Sequence, residues 1–164
     1  MKPQINKVMD KNLTIEEFNE KLSARVLANF EAYTDGIIKN IDNIRAKMCE
    51  NTRNFIRGFE EETDNVFMLA EYHQLMVDIT ATIRYDVNNK NTKNILNLLK
   101  ELKEYYVNEY LNVKVNFNTT NMMHNLRKLS KVKAYQNLIN IIDSQIKECI
   151  KSHNIRYEKL NKDN

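Results

Sequence analysis

Few residues of this sequence have the types and spacing that metal binding requires. Cys149 and His153 are four residues apart, which places two metal-ligating side chains on one face of a helix. Zinc sites need three or four ligands, and the sequence has neither a CxxC nor an HExxH pattern that would supply the others. We therefore expect His153 to be packed in a helix interface, and we predict no metal and no cofactor.

Two pairs of carboxylates match the ExxE and ExxD patterns with which helical NTP pyrophosphohydrolases hold magnesium. They are Glu17-x-x-Glu20 and Glu61-x-x-Asp64. Their separation is longer than the usual interval in those enzymes, and such patterns are expected by chance among 22 acidic residues. Two isolated glycines exclude a glycine-rich phosphate loop. We predict a protein that is not an enzyme, and a metal-dependent pyrophosphohydrolase is the third alternative.

Charge is distributed unevenly along the chain. Seven acidic residues and one basic residue lie between Glu60 and Asp86, whereas no acidic residue lies between Tyr110 and Ile142. The second region carries the basic residues Lys114, Arg127, Lys128, Lys131 and Lys133. We expect that the two regions face each other in the fold or across a dimer, or that they are simply solvated helix faces. The alternative is that the basic residues bind nucleic acid or an acidic partner.

Aromatic residues indicate a candidate protein interface. Tyr105, Tyr106 and Tyr110 cover more than one side of a predicted helix, so at least one of them should be exposed or in contact with a partner. Tyrosine combines a large contact area with a polar tip, which suits protein interfaces. Phe55 and Phe59 complete the candidate set. The structural alternative is that the tyrosines lie flat on a small helical bundle.

Helices must position these residues. Apolar side chains recur every three or four residues from 15 to 59 with one polar gap at Asn51 and Thr52, which predicts a single long helix. The capping box Thr14-x-x-Glu17 marks its start, and Gly36 and the polar gap are candidate kinks.

Three further helices follow in the predicted order. We expect a turn at 61–64, a second helix over 66–87, a loop at 88–91 and a third helix over 95–113 that Thr92 caps. The fourth helix is predicted over 122–160, after a start signal at 119–121.

The predicted fold class is all-α, an elongated antiparallel helical bundle with long N- and C-terminal helices and coiled-coil-like packing. Only two glycines and one proline interrupt helix formation. We predict a single domain over 1–164, in which the lead-in 1–13 and the tail 161–164 are poorly packed. Two distant cysteines and the lack of a signal peptide or an apolar window of 18 residues predict a cytoplasmic protein without a membrane segment.

These features favour a non-enzymatic interaction protein. It would oligomerise, serve as an adaptor or structural component, or inhibit another macromolecule by binding it. Frequent asparagine, lysine and isoleucine suggest an AT-rich genome, such as that of a low-GC bacterium or its phages. The main alternative is a nucleic-acid-binding helical protein that uses the basic segment 114–133.

Overall fold

The computed structural model describes residues 13–50, 55–89, 94–115 and 122–162, and for 48–50, 55–65, 115, 122–126 and 159–162 it describes the backbone only. Within these ranges the chain forms four helices: α1 (Ile15–Glu50), α2 (Phe55–Asn88), α3 (Ile95–Val115) and α4 (Met122–Lys162). The predicted all-α helical bundle is confirmed. Coiled-coil-like packing stays a prediction.

The start of α1 is as predicted. The amide N–H of Glu17 donates to the Thr14 hydroxyl oxygen at 3.1 Å, and the amide N–H of Phe18 donates to the Thr14 carbonyl at 2.9 Å. These bonds satisfy two of the amide groups that a helix start leaves without partners. The helix then runs through Gly36 without interruption.

The prediction of one helix from 15 to 59 and of a turn at 61–64 is wrong. The first helix ends at Glu50, and α2 begins at Phe55 and continues through 61–64. The two helices are therefore separate in sequence between Glu50 and Phe55, and the polar gap with Asn51 and Thr52 lies outside the described residues. Glutamate is a good helix former, so the run of glutamates at 60–62 does not need to interrupt a helix.

The later boundaries agree with the sequence. Ile95 and Met122 begin α3 and α4 as expected. The Asn94 side-chain oxygen accepts from the amide N–H of Leu96 at 2.9 Å, so Asn94 caps α3. The predicted cap Thr92 and the start signal at 119–121 lie outside the described residues.

Side-chain pairs define how the helices are arranged. Glu31 is hydrogen-bonded to Arg84, and Thr34 to Thr80. The residue number rises along α1 while that of its partner falls along α2, so these two helices are antiparallel. Pairs of Lys103 with Asp143 and of Tyr110 with Gln136 make α3 and α4 antiparallel. The contacts Phe18–His153 and Asn29–Gln145 make α4 antiparallel to α1 as well. Consequently α2 and α4, which pack closely against each other, run parallel.

The core is packed most completely in one half of the bundle. This closed half comprises 15–36 of α1, 76–88 of α2, 95–106 of α3 and 138–156 of α4. Every large side chain that is fully buried among the described residues lies in it: Phe18, Leu22, Val26, Phe30, Met76, Ile79, Ile83, Ile95, Leu99, Leu138, Ile142 and Cys149. We call the other half, with 37–47, 66–75, 107–114 and 127–137, the open half.

One polar pair crosses the core of the closed half. The Asn29 amide nitrogen donates to the Gln145 amide oxygen at 2.9 Å, and both side chains are buried. A buried amide pair is stable only when each partner faces the other, so the pair fixes the relative positions of α1 and α4 along the bundle axis.

Candidate functional site

A groove lies between α2 and α4 in the open half. Its walls include Phe67, Glu71 and Gln74 of α2 and Arg127, Lys128 and Lys131 of α4, and its volume is about 580 Å³. We call this feature the α2–α4 groove. It is partly open to solvent, and it combines an aromatic ring with charges of both signs. Such a lining suits a side chain of a macromolecule better than an enclosed small molecule.

The structure brings together three of the five predicted basic residues. Arg127 and Lys131 are exposed and lie one helical turn apart in the groove, beside the half-buried Lys128. Lys114 instead lies on the neighbouring helix α3, where its ammonium group is 5.8 Å from the centre of the Tyr110 ring of the same helix. Lys133 is exposed and does not line the groove.

Acidic and basic helices lie side by side, as one interpretation of the charge pattern expected. Glu71 of the acidic α2 shares the groove with Arg127 and Lys131 of the basic α4. A carboxylate at this position lowers the attraction of the groove for phosphate groups. The groove is therefore of mixed charge rather than a uniformly positive channel.

The adjacent tyrosines Tyr105 and Tyr106 differ in burial, as expected for neighbouring residues that point to different sides of a helix. Tyr105 is 57% exposed, whereas Tyr106 is 6% exposed, and the two rings meet edge to face with centres 5.1 Å apart. The Tyr110 hydroxyl accepts a hydrogen bond from the Gln136 side-chain nitrogen at 3.2 Å, which ties α3 to α4. Of the three, only Tyr105 is thus available to a partner over most of its ring. The side chains of Phe55 and Phe59 lie outside the described residues.

Tyr135 of α4 extends this aromatic cluster. Its role is not evident from the sequence, because it occupies a position in the apolar stripe of α4 and so resembles an ordinary core residue. Its ring centre lies 6.4 Å from that of Tyr106. Burial, followed by the negative charge of Asp78, raises the pKa of Tyr106 to about 12. Burial and then the charge of Glu109 raise the pKa of Tyr135. Asp78 of α2 and Glu109 of α3 therefore lie near the tyrosine cluster.

Phe67 is the other residue that sequence reasoning missed. It is 41% exposed and lines the groove. It follows Val66 directly and so falls off the apolar stripe of α2, which is the signal that could have identified it. A phenylalanine off the buried stripe must remain in contact with water or with a partner.

Cys149 belongs to the core of the closed half, and the half-buried His153 lies one helical turn further along α4. Cys149 is fully buried, and burial raises the pKa of its thiol to about 12, which disfavours the thiolate that a metal would bind. The His153 ring packs edge to face on Phe18 with centres 5.1 Å apart, in agreement with a packed interface histidine. Among the described side chains, no three His, Cys, Asp or Glu groups are close enough to hold a metal ion.

The carboxylate pairs are only partly described. Glu17 and Glu20 are exposed on the first turns of α1, and the side chains of Glu61 and Asp64 lie outside the described residues. The pyrophosphohydrolase alternative is therefore not tested. None of the four helices has, over its described residues, an apolar stretch that could cross a lipid bilayer.

The chain matches no protein-family model, no curated protein and no solved structure.

Proposed function

We propose that this chain is a cytoplasmic, non-enzymatic interaction protein that binds another protein through one face of its helical bundle. The face extends from Phe67, in the α2–α4 groove, to Tyr105 on α3. The observation that carries the proposal is the exposure of these two large aromatic side chains beside charged groups of both signs. Aromatic side chains and arginine are the residue types that dominate binding energy at protein interfaces.

The packing around Tyr105 supports the same conclusion. Its ring stands on the buried Tyr106, which packs in turn against Tyr135. A side chain held by such contacts loses little conformational freedom when a partner binds. An aromatic residue that is exposed but already positioned is therefore well suited to anchor a contact.

Partner capture from the native cell tests the proposal. The tagged chain is compared with the double variant Tyr105→Ala/Phe67→Ala, and Tyr157→Ala serves as a control because that tyrosine is 67% exposed elsewhere on α4. We expect recovery of the bound protein to fall about tenfold or more in the double variant, as for residues that anchor an interface. Equal recovery from the wild type and the double variant would contradict the proposed face.

Nucleic-acid binding is the second candidate function. Arg127 and Lys131 favour it because both are exposed on one face of α4. Filter binding at several salt concentrations distinguishes the two candidates. Reversal of both charges to glutamate should strongly weaken binding of nucleic acid and reduce the salt dependence of the binding that remains, whereas Tyr105→Ala should leave both unchanged. Undiminished affinity in the charge-reversed variant would remove this candidate.

A further inference from the structure

The α2–α4 groove and the tyrosine cluster form one continuous surface. Because α2 and α4 run parallel, rising residue numbers advance in the same direction along the bundle axis on both helices. We can therefore follow the surface by one helical turn from Gln74 on α2 and by one turn from Lys131 on α4. The first step reaches Asp78, which accepts a hydrogen bond from the Gln74 side chain at 3.1 Å. The second reaches Tyr135, whose ring centre lies 6.4 Å from that of Tyr106 on α3. The surface from Phe67 to Asp78 is roughly 17 Å long, at 1.5 Å per residue.

The two ends of this surface carry opposite net charge, because the basic residues at the groove end outnumber the single carboxylate there, Glu71. Arg127 and Lys131 are exposed at one end, and the exposed Asp78 and half-buried Glu109 lie around the tyrosine cluster at the other. The ion pairs that the structure shows among its described residues, Arg84–Glu31 and Lys103–Asp143, include none of these four groups. Each end also has one exposed ring, Phe67 at the basic end and Tyr105 at the acidic end.

We propose that the surface from Phe67 to Tyr105 binds a second copy of this chain in a two-fold symmetric dimer. This inference rests on the proposed function, because it names the partner of the same face. A two-fold axis that lies in the plane of the interface, at right angles to the long direction of the surface, turns one copy end over end, so the basic end of each copy faces the acidic end of the other. Arg127 and Lys131 then meet Asp78 and Glu109 twice, once on each side of the axis.

Charge complementarity favours a second copy over other occupants. A purely basic or a purely acidic partner would be attracted to one end of the surface and repelled by the other. The chain itself carries the required order of charges with the required spacing. The same rotation brings Phe67 of one copy towards Tyr105 of the other, so an aromatic contact accompanies each charged one.

The size of the surface determines the expected affinity. A strip of this length on two helices is smaller than a standard protein interface, so we expect a dissociation constant on the order of 10 µM. Sedimentation velocity over a range of concentrations should then show conversion from the monomer mass of 19.5 kDa to twice that mass. Addition of salt should shift the equilibrium towards the monomer because the contacts are ionic.

A charge exchange tests the arrangement itself. The variant Arg127→Glu/Lys131→Glu is acidic at both ends, and Asp78→Lys/Glu109→Lys is basic at both ends. Each variant alone should dimerise roughly tenfold or more weakly than the wild type, because like charges then face each other. An equimolar mixture of the two should recover dimers that contain one copy of each. Circular dichroism confirms that each variant is folded, and Lys147→Glu/Lys151→Glu, on exposed positions of α4 in the closed half, should leave the affinity unchanged.

Three outcomes would overturn the inference. They are a wild-type chain that stays monomeric up to roughly 50 times the expected dissociation constant, a dimer that both charge reversals leave intact, and a loss of dimer that the mixture does not reverse. If the wild type is monomeric and the Tyr105→Ala/Phe67→Ala variant still loses a captured protein, the proposed function stands and the partner is a different protein.

Discussion

The two halves of the bundle differ in how they use the same amphipathic helices. In the closed half, four helices surround side chains such as Phe30 and Ile142 that water does not reach. In the open half, Ile37, Leu69 and Tyr72 are buried but retain some exposure, and Phe67 and Leu129 face solvent. Since burial of apolar area is the dominant stabilising term, the closed half should supply most of the free energy of folding. The open half can then carry exposed binding groups such as Phe67 and Arg127, while Asp78 and Tyr105 of the same surface lie at the adjoining end of the closed half.

Substitution of one phenylalanine in each half provides the strongest test of this difference. Phe30→Ala should lower the free energy of unfolding by about 3–5 kcal/mol, because it removes a fully buried ring and leaves a cavity. Phe67→Ala should change it by less than about 1 kcal/mol, because that ring is already 41% exposed. Urea denaturation followed by circular dichroism measures both. Comparable losses from the two variants would show that the open half is as important for stability as the closed half.

The buried amide pair permits a second test of the closed half. Gln145→Met leaves the Asn29 amide buried without its partner, and we expect a loss of about 1–3 kcal/mol in the free energy of unfolding. Asn29→Leu should cost a similar amount for the same reason.

The double variant Asn29→Leu/Gln145→Met should lose less than the sum of the two single losses, because no polar group remains buried and unsatisfied. A double-mutant cycle from urea denaturation measures this coupling. Additive losses would mean that the hydrogen bond does not connect α1 and α4 energetically.

His153, where α4 packs against the start of α1 in the closed half, should make the stability of the chain depend on pH. Burial, followed by the charge of Arg156, lowers the pKa of His153 below its usual 6.5. Arg156 itself lies over the Phe18 ring, 4.8 Å from its centre, and donates a hydrogen bond to the Leu13 carbonyl. The Nε2 atom of His153 is buried without a hydrogen-bond partner in the structure, so a proton there gains no acceptor.

The sign of the effect follows from these shifts. Above pH 6.5 the histidine is neutral in both states and contributes nothing to the pH dependence. Below pH 6.5 the unfolded chain binds a proton more readily than the folded chain does, so the free energy of unfolding falls with falling pH until the folded pKa is passed. Urea denaturation between pH 7.5 and 5 should show a weaker fall in His153→Gln than in the wild type. Identical pH profiles would exclude His153 as a source of the effect.

The sequence was sufficient for the fold class and for most helix boundaries, because both depend on local signals. The steps of three and four that contain Phe18, Leu22 and Val26 predicted the buried face of α1, and the Thr14 cap predicted its start. A polar gap was visible at Asn51 and Thr52. However, two helices joined by a turn and one continuous helix both show apolar residues at steps of three and four. The periodicity therefore did not show that α1 ends at Glu50 and that a second helix begins at Phe55.

The candidate site was less predictable because it joins distant segments. Spacing along α3 showed that Tyr105 and Tyr106 face different directions, but no local pattern shows which of them is buried. The arrangement of Asp78, Tyr106 and Tyr135 depends on which helices become neighbours, and the sequence of one chain does not specify this order. The charge segregation was compatible with acidic and basic segments that face each other, but equally with a basic surface that binds a partner, and it did not distinguish the two.

Gly36 lies at the junction of the two halves and gives the test with the smallest expected effect. It is exposed in the interior of α1, and a methyl group added to it would have no neighbouring atom within 4 Å. Alanine favours helix over the unfolded chain by roughly 0.5–1 kcal/mol relative to glycine, so Gly36→Ala should raise the free energy of unfolding by that amount.

This small change tests whether α1 is a regular helix at Gly36, where the closed half joins the open half. Ala32→Gly, at an exposed position one turn earlier in the same helix, is the matched control and should lower the free energy of unfolding by a similar amount. If Gly36→Ala stabilises the chain and leaves the dimer affinity unchanged, α1 is a continuous rod that connects the two halves. If it stabilises the chain but weakens the dimer, flexibility at Gly36 is needed for the open half to adapt to a partner. In that case the two halves would differ in mobility as well as in burial.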